Sequence, residues 1–197
     1  MKRIIVLLAV VLAVSTMAMA QLGTDVYVGY NLGINTITKD GSDVTITKES
    51  STTNTSFIDL GLLIDYEIAD GFSIGGGIGG AIPISGNIGY VRTAGATPTS
   101  MTYAIDGIVG VDYTYPLEPV LFKANLVGGV SFMDMSHMGY MVKAKFGIGY
   151  DIGGFAVSVG AGYELRNYSI ASAVEGGTAG SVMFNSIPIE LGITIRF

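Results

Sequence analysis

The chain has 197 residues, with 10 Lys and Arg against 16 Asp and Glu, a length that suits one domain with a sizeable buried surface. An acidic chain without a basic patch argues against a nucleic-acid partner. The absence of cysteine excludes disulfides, thiolate metal sites and a lipidated cysteine.

Residues 1–20 open with Met1-Lys2-Arg3, run apolar from Ile4 to Val14, and close on Ala18-Met19-Ala20. A basic start, a short apolar stretch and a small-residue site predict a signal peptide cleaved after Ala20. The apolar run is too short to span a bilayer. Without Lys2 and Arg3, eight basic residues face 16 acidic ones. The expected domain is therefore 21–197.

From there the hydrophobic period is two, repeatedly. In 25–35, Val26, Val28, Tyr30, Leu32 and Ile34 alternate with Asp25, Tyr27, Gly29, Asn31 and Gly33. Ile58, Leu60, Leu62, Ile64 and Tyr66 form the apolar register of 57–67, opposite Asp59, Gly61, Leu63 and Asp65. In 72–85, Phe72, Ile74, Ile78, Ile82 and Ile84 alternate with glycines and serines. The segment 101–115 sets tyrosines, Ile105, Val109 and Val111 against Asp106, Gly110 and Asp112, with Ile108 breaking the pattern. In 120–132 the polar register holds Lys123, Asn125 and Ser131, and Leu121 and Val127 are exceptions. The last three segments, 139–151, 155–166 and 186–197, place Lys143, Lys145, Glu164, Arg166, Glu190 and Arg196 opposite Ile, Val, Leu, Tyr and Phe.

These eight segments exceed the globular strand mean of about 5–6 residues and match the roughly 9–11 that a tilted membrane strand needs. Short turns near 67–71, 116–119 and 151–154 alternate with long polar stretches at 36–56, 86–100 and 167–185 and a shorter one at 133–138. Alternating short and long connections belong to outer-membrane barrels, with the short turns periplasmic. The predicted fold is all-β: an eight-stranded antiparallel up-and-down transmembrane β-barrel in the bacterial outer membrane, both mature termini periplasmic. Val44 and Ile46 suggest that the first hairpin extends past the bilayer.

Aromatics flank the short turns on the apolar register: Tyr66 and Phe72, Tyr115 and Phe122, Tyr150 and Phe155. Together with Phe197 they are expected to form an interfacial girdle, where amphipathic rings meet lipid headgroups. The inward register is rich in glycine and charge, a poor apolar core. Asp59, Asp106, Asp112, Lys123, Lys143, Lys145, Glu164, Arg166, Glu190 and Arg196 are expected to form an ion-pair network filling the lumen, because buried charges need partners. Asp112 and Lys123 are expected to face each other across the 116–119 turn. The small residues of the glycine-rich 72–85 segment are expected to make room for Lys and Arg side chains inside the barrel.

The final segment, Ile189-Glu190-Leu191-Gly192-Ile193-Thr194-Ile195-Arg196-Phe197, alternates strictly and ends on an aromatic. With the seven segments before it, the chain resembles the small outer-membrane barrels, such as the membrane domain of outer-membrane protein A and the opacity-type barrels. That resemblance covers 21–197. It implies that Ile193, Ile195 and Phe197 act as an assembly signal for the outer-membrane barrel insertion machinery. Pro188 departs from an ideal strand, since it cannot donate to the ladder.

Other motifs carry less. Gly75, Gly77 and Gly80 match G-x-G-x-x-G, but the alternation runs on with no strand-to-helix change, so no dinucleotide cofactor is expected. His137, the one histidine, sits beside Ser136 and Asp134 in a polar stretch. Adjacent residues seldom converge as a triad, so it is expected to be a solvated loop residue. The polar run from Lys48 to Thr55 suits a water-exposed loop. The expected role is structural or surface-interacting, without catalysis or cofactor, with outer-membrane lipids as partners and any surface ligand unidentified. A narrow small-solute or ion channel and an exported lipocalin-like carrier are the alternatives.

Overall fold

A computed structural model of the chain describes residues 22–48, 54–86, 88–91 and 97–197. The expected signal segment and most of the 48–55 polar run lie outside the described residues. Eleven strands are formed: β1 Leu22–Lys39, β2 Thr45–Lys48, β3 Ser56–Ala69, β4 Phe72–Ser85, β5 Ile88–Val91, β6 Thr99–Ser100, β7 Ala104–Leu117, β8 Val120–Met133, β9 His137–Asp151, β10 Phe155–Ile170 and β11 Gly180–Arg196.

Eight of them close into one antiparallel barrel in the order β1-β11-β10-β9-β8-β7-β4-β3. Each strand pairs with its sequence neighbour in the barrel, and β1 closes the ring by pairing with β11 on one side and β3 on the other. The predicted eight-stranded up-and-down barrel is therefore the fold. Closure satisfies every strand edge, which an open sheet leaves exposed. Tight connections at 70–71, 118–119 and 152–154 mark the turn end, where β1 begins and β11 stops; at the opposite loop end the connections are longer except the three-residue turn at 134–136.

Side chains alternate across the wall as the period of two requires. Val28 lies between Leu60 and Leu191 in neighbouring strands, and all three are exposed on the outer surface. Their sequence neighbours Asp59 and Glu190 are buried inside. Ile108, Leu121 and Val127, which broke the alternation, point inward with the polar register and are buried there.

Two expectations are corrected at the loop end. The strands run further than predicted: β1 continues to Lys39, β10 to Ile170, and β11 starts at Gly180. A bulge between Gly33 and Asn35 lets β1 continue pairing with β11 up to Lys39. The stretch around Val44 and Ile46 does not extend the first hairpin. Instead β2 pairs with β5, and β5 with β6, as a separate three-stranded sheet. Val44, Ile46, Ile88 and Met101 turn into the barrel mouth and pack with Phe57, Tyr168, Ile170, Val182 and Phe184. Phe184 meets Phe57 edge-on with ring centroids 5.1 Å apart. This apolar cluster fills the loop end as a soluble core fills its domain.

Candidate functional site

The inner wall at mid-barrel carries a connected set of charges. From β10, Arg166 sends Nη1 to Asp106 Oδ2 on β7 at 2.9 Å, Nη2 to Asp59 Oδ2 on β3 at 3.2 Å, and Nε to Glu164 Oε1 at 2.5 Å. Lys143 Nζ from β9 lies 2.6 Å from Glu190 Oε1 on β11 and 3.4 Å from both Asp59 Oδ2 and Glu164 Oε2. Lys145 pairs with the other Glu190 oxygen. Asn31 of β1 donates to Asp59 and Glu164, both at 2.9 Å. Ser131 of β8 donates to Asp106 Oδ1 at 2.5 Å and shares a hydrogen bond of 2.7 Å with the Tyr168 hydroxyl.

Seven of the eight barrel strands thus contribute a polar group to one cluster, and β4 supplies only small residues. Removing one charge strands its partners away from water, the costly failure of a buried ion pair. Four carboxylates meet three cations. The guanidinium is the hub because its planar fork reaches three carboxylates at once.

Tyr27 lies across the lumen below this layer. Its ring covers the position where a Gly61 side chain would start, so any larger residue there would displace it. Lys143 Nζ is 4.4 Å and Lys145 Nζ 5.1 Å from the ring centroid, within cation–π range. Leu63, Ile108, Val127 and Met141 pack with Tyr27 as an apolar cluster inside the otherwise polar lumen. The space at Gly79 is taken by Asp106 and the Tyr27 hydroxyl, both 3.4 Å from where a Cβ would sit, not by Lys or Arg.

Of the ten charged residues expected in one network, Asp59, Asp106, Lys143, Lys145, Glu164, Arg166 and Glu190 come together. Lys123 and Asp112 belong to a separate layer nearer the turn end, and they do not pair with each other. Lys123 Nζ is 3.2 Å from Asp25 Oδ1 and 2.8 Å from Thr194 Oγ1, whereas Asp112 accepts from Asn125 Nδ2 at 3.0 Å. The ladder explains the correction: Lys123 stands opposite Thr114, and Asp112 opposite Asn125. Arg196 is exposed at the turn-end mouth and forms no ion pair among the described residues.

Asn31, Asp25, Tyr27 and Ser131 were not singled out as site residues, although all four stand in the inward register. Counting inward polar side chains, not charges alone, would have found them. Tyr168 fell in a stretch read as loop.

Tyr66, Phe72, Tyr115, Phe122, Tyr150 and Phe155 stand on the outer wall next to the three tight turns, and Phe197 is exposed at the same end. His137 is not solvated. It begins β9, is 1 % exposed, and meets the Tyr90 ring edge-on with centroids 4.7 Å apart. Ser136 is exposed, and the Asp134 carboxylate accepts from the Thr102 amide at 3.1 Å and the Tyr103 amide at 3.2 Å. The G-x-G-x-x-G stretch lies wholly within β4.

No protein-family model matches the chain, and none of the curated proteins matches it. Among solved structures, neisserial surface protein A is similar over 89% of this chain and 96% of its own, at 12% identity and a TM-score of 0.51. The outer membrane protein OprG from Pseudomonas aeruginosa is similar over 89% and 95%, at 12% identity and a TM-score of 0.48. At 12% identity the likeness to neisserial surface protein A is one of fold: the chain shares its β-barrel architecture.

Proposed function

We propose that the protein resides in the bacterial outer membrane as a structural or surface-interacting barrel, without catalysis, whose lumen is plugged by its own side chains. The observation that carries this reading is the pairing of an apolar, exposed outer wall with a charged interior cross-linked through Arg166 and Lys143. A continuous exposed apolar wall is unstable in water and stable in lipid. A soluble lipocalin-like carrier needs the opposite arrangement, apolar inside and polar outside. An eight-stranded barrel encloses a bore that side chains nearly fill, and here they do so with mutually paired charges.

The turn end then faces the periplasm, as short connections do in this class, and the loop end faces outward. Tyr66, Phe72, Tyr115, Phe122, Tyr150, Phe155 and Phe197 form the periplasmic girdle. Ile193, Ile195 and Phe197 form the segment read by the insertion machinery. Planar-bilayer recording of refolded protein tests the plug: the expected trace shows no steady open level, and a steady conductance overturns it. Membrane fractionation tests the location, since release without detergent is incompatible with a lipid-facing wall.

A further inference from the structure

The interior is not filled evenly along its axis. Outside the turn-end mouth an open recess of about 370 Å³ lies against the outward rings of Tyr113 and Tyr115, with Glu67, Asp70 and Arg196 at its edge. A second cavity of about 30 Å³ shares Glu67, Thr114 and Arg196 with it. A third, of about 40 Å³, shares Asp25, Asp112 and Lys123 with the second and reaches Lys145. A water molecule requires roughly 10–15 Å³ of such space and two to four polar partners. Both inner cavities exceed that and are lined by carboxylates and Lys123, with Asn125 and Ser158 also lining the deeper one.

The third cavity ends against Tyr27, Leu63, Val127, Lys143 and Glu190. Two inward lysines on one strand mark the boundary: the Lys145 side chain is 20% exposed, and that of Lys143, one alternation further toward the loop end, is 1% exposed. Beyond Lys143 come the Arg166 cluster and then the apolar loop-end core.

We propose that the barrel is a blind, hydrated half-channel. Water and small cations enter from the turn end as far as Lys145, and the Arg166 layer with the apolar core closes it from the loop end. This rests on the plugged, membrane-embedded reading and adds that the plug occupies only the loop-ward half. Asp25, Asp65, Glu67 and Asp112 stand against Lys123, Lys145 and Arg196 along the open part, a slight acidic excess that tilts it toward small cations.

Because the chain lacks cysteine, single thiols report access. Ser158→Cys places one in the third cavity. Ser131→Cys places one within the Arg166 layer and Thr36→Cys one on its loop side, opposite Phe184; both residues are buried. Glu118→Cys and Glu175→Cys mark the turn end and the loop end in exposed connections. Refolded variants in liposomes, checked by heat-modifiable migration, receive silver ion outside only. Silver binds the sulfur and releases its proton. After quenching and unfolding, maleimide counts the thiols left free.

The blocked fraction of Ser158→Cys is expected to follow that of Glu118→Cys. Ser131→Cys and Thr36→Cys are expected to react at least about a hundredfold more slowly, because reaching them requires local opening. If Ser131→Cys does not refold, Thr36→Cys carries the comparison. The proposal fails if Ser158→Cys follows Glu175→Cys, if it stays free, or if a thiol within or beyond the layer is blocked as readily. An unreactive Ser158→Cys without bilayer conductance would remove the half-channel and leave the plug standing. A steady conductance would remove the plug itself.

Discussion

Along β10, Val157, Val159 and Ala161 face outward at mid-barrel while Glu164 and Arg166 are buried inside. Two residues further along the same strand the arrangement turns over. Tyr168 and Ile170 are buried inside, and the outward positions are Asn167 and Ser169. The backbone geometry hardly changes between the two regions; the surroundings do. In the proposed reading lipid bathes the middle of the wall, so apolar groups lose nothing by facing outward and polar ones must satisfy each other within. Past the bilayer edge the wall meets water, and apolar groups turn inward as in any soluble core. In that reading the change marks where the bilayer ends, near Tyr163, whose hydroxyl donates to Asn185 on the outer wall.

Four changes would break or sharpen this contrast. The largest effect is expected from Arg166→Met, which leaves Asp59 and Glu164 with Lys143 as their close cation and takes from Asp106 its ion-pair partner. Removing one partner of a buried ionic set costs about 3–5 kcal/mol, read as a lower urea midpoint of the refolded barrel. Arg166→Met combined with Asp106→Leu and Glu164→Leu should recover part of it; no recovery would show that the cluster does more than balance its own charges.

In the apolar region, Phe184→Ala removes the ring that packs on Phe57 and Tyr168. A loss of about 3 kcal/mol is expected for such a truncation. It should be confined to the loop end: amide exchange speeds up in β2 and β5 while mid-barrel amides stay protected. Uniform acceleration around the barrel would contradict an independent loop-end core.

On the outer surface, Leu191→Arg at mid-height is expected to cost about 2–4 kcal/mol in lipid. Ser169→Arg, also outward and exposed but beyond the inversion, should change stability by less than about 0.5 kcal/mol. Equal penalties would place the bilayer edge elsewhere. Among the four destabilising changes the smallest loss is expected at the boundary: Tyr163→Phe loses one hydrogen bond to Asn185 and about 1 kcal/mol, measurable as a small shift in the unfolding midpoint.

Much of this is legible in the linear chain. Strict alternation over long segments names the strands, and the spacing of short and long connections orders them around a closed ring. The inward register names which residues share the lumen, because side chains at i and i+2 necessarily share a face. What was missed follows from local ambiguity. Past Ile34 in β1 and Arg166 in β10 the sequence becomes polar and rich in Ser, Thr and Asn, which reads equally as loop or as water-facing strand. Ile46 and Ile88 belong to strands of four residues, and Val44 stands just before one of them; such segments are too short to reveal whom they pair with.

The sequence by itself therefore determined that the chain forms a barrel, which side chains face in and which face out, since both follow from periodicity along single strands. Only the tertiary structure decided who meets whom inside. Asn31 and Glu164 are 133 positions apart, and Lys123 reaches Asp25 across 98 positions in preference to Asp112 on its own hairpin. Such partners are set by the stagger between strands as the sheet closes and by the tilt that closure imposes, and neither quantity is written in the spacing of any one strand.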